Sequence, residues 1–170
     1  MSFAQPSWPR KLPSALVVGL ATLGPIGRRL PAPGTWGSFV GLGYFWVFFR
    51  TLDSGWIVVV SALASYLAVA LCGEAEVRLG KTDPGEVILD EFVAMPLCFL
   101  GWRMLLPVMP LWQLELAGFA LFRVFDIFKP FGISRLQRLP GGWGVVVDDL
   151  AAALAACATL HLGVWLWTLR

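Results

Sequence analysis

The sequence predicts an all-α protein, a multi-pass membrane helical bundle in which some segments are short or re-entrant. Three observations carry this. Of the 170 residues, 58% are hydrophobic and only 14% charged, where soluble domains carry about a quarter charged. The apolar residues come in blocks: Trp56 to Gly73 runs 18 residues without a charge, and Leu150 to Leu169 runs 20 with Cys157 and His161 as its only titratable groups. Segments near this length cross a bilayer. Clusters of glycine and proline then punctuate the blocks where helices should begin and end. The length suits one domain over residues 1–170. A net charge of +2, from 13 basic and 11 acidic residues, is too balanced for a nucleic-acid partner. Nothing in the sequence fixes an oligomeric state.

The elements follow in order. Arg10 and Lys11 precede a short apolar stretch as in a signal peptide, but no small-residue cleavage site follows, so the segment is expected to be retained. Residues 14–24 are too short to span and should lie at the interface or re-enter. Gly24 to Ser38 reads as a loop, with Thr35 or Ser38 capping a helix over 36–50. The span 56–73 leads into a polar hinge over 74–86. Asp83 before Pro84, with Glu86 three residues on, makes a capping-box start for a helix from 84 toward 100, placing Asp90 and Glu91 two turns in. Pro107 and Pro110 mark a turn, a helix runs from 111 to 129 and Pro130 ends it, and a loop over 131–144 feeds the last helix. The three cysteines, Cys72, Cys98 and Cys157, lie in apolar runs and read as small buried hydrophobes. His161, deep in the last span with no partner nearby in the sequence, reads as a satisfied core or interface histidine.

The charges carry the chemistry. An ionisable side chain in a membrane helix costs about 2.5–3.5 kcal/mol on insertion scales and tends to face a cavity. Here they concentrate at Asp90-Glu91, at Arg123-Asp126-Lys129 and at Asp148-Asp149. The middle set recurs at three-residue intervals, so all three share one helical face. Carboxylates gathered in a low dielectric repel one another unless a cation lies among them. All-oxygen ligands suit a hard ion, Mg²⁺ first, which leaves Arg123 and Lys129 for an anion such as a phosphate. The glycine turns PGTWGS (33–38) and PGGWG (140–144) each lead into a helix start, where free N–H groups favour an anion. The charges also fit a small cation- or proton-coupled membrane transporter, for which the glycine turns have no clear use.

Four separated motifs resemble the phosphatidylglycerophosphatase A family: PAPGTWGS (31–38), DPGEVILDEF (83–92), FRVFDIFKP (122–130) and LQRLPGGWGVVVDDLAA (136–152). Their order and spacing are kept over residues 15–165. Two glycines common in that family are Ala94 and Ala153 here. The resemblance implies a Mg²⁺-dependent lipid phosphatase that removes the terminal phosphate of phosphatidylglycerophosphate, a phospholipid of the bilayer, in a bacterial inner membrane. It implies Asp90, Glu91, Asp126, Asp148 and Asp149 as metal ligands. Arg123, Lys129, Gly34, Thr35 and Gly142 would face the substrate phosphate, and Asp126, Asp149 and Lys129 would be catalytic. The sequence leaves open whether Asp126 or Asp149 is the base, and whether water or an aspartate attacks phosphorus. Arg28, Arg29, Arg78, Lys81, Arg135 and Arg138 share loops with the motifs, so the positive-inside rule places the site on the cytoplasmic face.

Overall fold

A computed structural model describes residues 4–170. Among the described residues there is no strand, and the chain forms seven α-helices: α1 Ser14–Ala21, α2 Pro25–Arg29, α3 Pro33–Tyr44, α4 Ser54–Leu79, α5 Leu89–Ala94, α6 Leu111–Phe128 and α7 Gly142–Thr168. A π turn over Phe45–Phe49 prolongs α3, and 3₁₀ turns follow α5 and α6.

Among the described residues two helices, α4 and α7, are long and apolar enough to cross a membrane. Helix α6 carries Glu115, Arg123 and Asp126 within its 18 residues. The expected multi-pass bundle thus narrows to two candidate spans. At about 1.5 Å per residue, the 26 residues of α4 outrun a hydrocarbon core of about 30 Å. Its last turns project beyond the apolar part and are stitched there: Arg78 Nε donates to Glu74 Oε1 (2.9 Å), and its Nη atoms reach the Pro9 and Leu12 carbonyls at 2.9 Å each. The expected hinge over 74–86 is therefore helix through Leu79, because an i,i+4 ion pair and the N-terminal segment hold it.

Helices α4 and α7 run antiparallel, with Gly142 packed against the Val69 and Gly73 backbone. An apolar core of Phe45, Phe49, Met95, Phe99, Leu114 and Phe122 fills the middle, and Ala94 and Ala153 lie in it fully buried. A second cluster, including Val17, Ala21, Val69, Cys72 and Val146, binds α1 to α4 and α7. The cysteines are all free and buried, and His161 Nε2 meets the Leu100 carbonyl at 2.8 Å. Outside the core, Trp56, Leu63, Trp112, Leu116, Trp165 and Trp167 are exposed, the surface expected of helices facing lipid.

Two predicted starts are corrected. PGTWGS is not a loop: α3 begins at Pro33 after Ala32 in the left-handed region (φ 51°), so Thr35 and Ser38 lie inside the helix and cap nothing. Asp83 is not an N-cap. It also adopts a left-handed conformation (φ 47°), and the helix starts five residues after Pro84, at Leu89. The groups of the supposed capping box bond elsewhere: the Asp83 N–H donates to Glu76 Oε1 (2.6 Å) and Glu86 pairs with Lys81 (3.8 Å). Val87 and Ile88 are buried, and the Ile88 N–H donates to the Ala21 carbonyl (3.0 Å). Burying Val87 against α1 and α4 and Ile88 against Gly37 of α3 keeps the segment out of the helix, in a turn closed by the Val87 N–H on the Pro84 carbonyl (2.8 Å). This puts Asp90 and Glu91 in the first turn of α5, where the helix dipole favours anions.

Candidate active site

The C-terminal end of α6, the segment before α5, and the N-terminal parts of α5 and α7 meet around a cavity of about 180 Å³. Asp90, Glu91, Asp126, Lys129, Asp148 and Asp149 line it, with Asp83 and Gly85 from the turn before α5. Each polar side chain is aimed by its helix. Asp126 and Lys129 follow Arg123 along one face of α6, and Lys129 ends that helix in the left-handed conformation (φ 44°), which turns its side chain back over the cavity.

Asp90, Glu91 and Asp149 each offer a carboxylate oxygen, all within 4.8 Å of one another. Asp90 Oδ1 and Glu91 Oε2 are buried without a hydrogen-bond partner, as is Asp148 Oδ1. A buried, unpaired anionic oxygen is costly, and an all-oxygen group of this size fits a hard divalent cation. Burial, then the nearby charges of Glu91 and Asp149, push the Asp90 carboxyl well above the usual carboxylate range. Glu91 is also raised, chiefly by burial, while hydrogen bonding to Asp90 and the Arg123 charge oppose the shift.

The expected ligand set divides. Asp90, Glu91 and Asp149 form the group, and Asp126 and Asp148 lie beside it, each paired with a cation. Asp126 Oδ2 meets Arg123 Nη1 at 2.8 Å, its Oδ1 lies 3.7 Å from Lys129 Nζ, and Lys129 forms a short contact with Asp148. The phosphate-side set divides as well. Gly34 lies against Glu91 Oε1, with the Arg123 guanidinium 3.3 Å from where its Cβ would be. Thr35, one residue on, is exposed and does not line the cavity. Gly142 faces away: its N–H donates to Gln5 Oε1 (3.1 Å), and a Cβ would run into the Val69 carbonyl of α4. It is a packing residue with a spent donor, and the phosphate role expected for it is withdrawn.

Several residues here do work that the sequence did not signal. Ser38 donates to the Gly34 carbonyl (2.8 Å) and lies 3.2 Å from Arg123 Nη1, so it helps place the arginine. Asp83, expected to be a cap, lines the cavity and accepts from Gln137 Nε2 (3.3 Å). Gln5 serves the N-terminus of α7 from 137 residues away, a distance no local pattern reveals.

Residues 19–164, spanning all four motifs, match the family model described as phosphatidylglycerophosphatase A. The chain belongs to the phosphatidylglycerophosphatase A family. It is thereby an enzyme, a phosphatase. Phosphatidylglycerophosphatase A of Haemophilus influenzae is 38% identical over 129 residues, 74% of this chain and 75% of its own length. The protein of that name from Escherichia coli K12 is 32% identical over 130 residues, 76% of this chain and 72% of its own length. A Bacteroides thetaiotaomicron protein, provisionally named a phosphatidylinositol-3-phosphatase, is 30% identical over 161 residues, 91% of this chain and 98% of its own length. No solved structure matches the chain. Membership of a phosphatase family sets aside the transporter alternative.

Proposed function

We propose that the protein removes the terminal phosphate of phosphatidylglycerophosphate, giving phosphatidylglycerol, with Mg²⁺ held by Asp90, Glu91 and Asp149. The observation that carries this is the convergence, in a phosphatase family, of three carboxylates and Lys129 on one cavity, with Arg123 ion-paired to its wall at Asp126. The all-oxygen donor set and the unpartnered oxygens of Asp90 and Glu91 support the ion. When bound, it would supply positive charge to the phosphate oxygens and acidify a water.

The chain's own residues do the rest. Lys129 Nζ takes an oxygen of the monoester, exchanging its contact with Asp148 for one with the phosphate. Arg123, fixed by Ser38 and Asp126, presents its guanidinium beside Gly34 as the second positive group. Asp126 is the base: it lies beside both cations yet outside the three-carboxylate group, so its carboxylate can accept a proton from water. As the water oxygen bonds to phosphorus, the bond from phosphorus to the glycerol oxygen breaks, and Asp126 returns the proton to that leaving oxygen. Asp148 keeps Lys129 in place between turnovers.

The molecule would lie in a bacterial inner membrane, crossing more than once, with the cavity facing the cytoplasm. Arg28, Arg29, Arg78, Lys81, Arg135 and Arg138 all lie in the segments next to the motifs that build the site, which favours that orientation. Purified protein in detergent, given phosphatidylglycerophosphate, should release phosphate with Mg²⁺ and stop when EDTA is added. Release that ignores EDTA, or none in either condition, overturns the proposal.

A further inference from the structure

The catalytic cavity has a charge problem. Its six lining carboxylates, Asp83 included, against Lys129 and Arg123 leave it formally at −4, still −2 with one Mg²⁺ bound, and both cations are already engaged with carboxylates. Resting on the function proposed above, the substrate brings two phosphates, a terminal monoester and the diester that joins headgroup to lipid. Something beyond the cavity has to attract it.

Arg28 and Arg29 are placed to do so. Among the described residues neither has an acidic partner within ion-pair distance, and both are exposed. With Gly19, Gly24 and Pro25 they line an open hollow of about 500 Å³. The glycines keep it open: an added Cβ at either Gly19 or Gly24 would meet nothing within 4 Å, so neither is there to let another chain pack. Gly24 also sets the turn between α1 and α2 with a positive φ of 67°. Leu16 and Leu20, on the helix that carries Gly19, are apolar and exposed and suit contact with an acyl chain.

The hollow is fastened to the catalytic wall. Gly27 packs directly on the Glu86 carbonyl, and any side chain there would collide with it. Gly85 and Val87, on either side of Glu86, line the catalytic cavity. One layer of backbone therefore separates α2 from the acids, and the Ile88–Ala21 hydrogen bond fixes its position (3.0 Å).

We infer that Arg28 and Arg29 form a subsite for the diester phosphate of the substrate, selecting a lipid with two phosphates over one with a monoester alone. Arginine is suited to the task, since its planar fork meets phosphate oxygens in pairs. Negative charge in the cavity then sharpens selection, because an anion without the second phosphate is repelled with less compensation.

The test compares short-chain phosphatidylglycerophosphate with short-chain phosphatidate, which lacks the diester, in neutral detergent micelles. Phosphatidate is followed by turnover or, where it is not turned over, by its inhibition constant. Replacing both arginines (Arg28→Gln with Arg29→Gln) should lower kcat/KM for the two-phosphate lipid about tenfold, mainly through KM. The phosphatidate constant should stay unchanged, and Arg28→Lys with Arg29→Lys should restore part of the loss. Equal losses on both lipids, no loss on either, or a lysine variant no better than the glutamine one overturns the subsite. So does an effect seen only when phosphatidylserine is added to the micelles, since the arginines would then bind bulk headgroups. If the wild-type protein fails to cleave the two-phosphate lipid, it is the proposed function that falls instead.

Discussion

PGTWGS and PGGWG look like duplicates, a glycine turn with a tryptophan entering a helix, and so do the acid pairs Asp90-Glu91 and Asp148-Asp149. The structure gives the members of each pair different work. The first turn brings Gly34 against Glu91 and Arg123, while the second buries Gly142 in α4. Both acids of the first pair join the three-carboxylate group, but in the second only Asp149 does, and Asp148 holds Lys129. Local composition marks where backbone can approach something closely. What it approaches depends on which helix lies opposite.

The largest expected effects separate the two acids of the second pair. Asp149→Asn should lower turnover by more than the roughly 10–100-fold typical of a supporting residue, and weaken Mg²⁺ binding measured by calorimetry. Asp148→Asn should cost about tenfold in turnover and leave Mg²⁺ affinity nearly unchanged. Equal effects on metal affinity would erase the distinction. Asp126→Asn should lose about 10²–10⁴-fold in kcat as a missing base does, again with Mg²⁺ affinity largely kept.

The glycines come next. Gly142→Ala drives a methyl into the α4 backbone and should destabilise the protein by about 1–3 kcal/mol, read as a lower thermal midpoint in detergent. Gly34→Ala meets only the ends of the Glu91 and Arg123 side chains, which can yield. It should keep the midpoint and lose activity. The reverse pattern would break the comparison.

A smaller effect concerns pH. Asp90 and Glu91 are held above their ordinary range mainly by burial. The folded, metal-free protein therefore binds more protons than the unfolded chain above about pH 4. Its stability should fall as pH rises from there through the raised values. Thermal midpoints in EDTA should be higher at pH 5 than at pH 8, and Mg²⁺ should reverse the order by favouring the ionised carboxylates. Smallest is Gln5→Ala, which leaves the Gly142 N–H without its partner and should cost about 1 kcal/mol, with activity unchanged once folded.

Much of this was legible beforehand because it depends on neighbours in the chain. The 3.6-residue repeat alone puts Arg123, Asp126 and Lys129 on one face, and helix length and hydropathy alone pick out α4 and α7. The capping box at Asp83 misled because burial of Val87 and Ile88 outweighs a local hydrogen-bond pattern. Ser38 and Gln5 were invisible because their partners lie on other helices.

By itself the sequence determined an all-helical chain, its apolar spans and the acids and cations that would have to meet, since charge in an apolar run demands company wherever it lies. Only the tertiary structure decided the company. Helix crossings assign Asp149 to the carboxylate group and Asp148 to Lys129, turn Gly34 toward the acids and Gly142 away, and leave Arg28 and Arg29 free beside the catalytic wall. Those choices rest on which backbones touch across long stretches of chain, and no window of neighbouring residues encodes that.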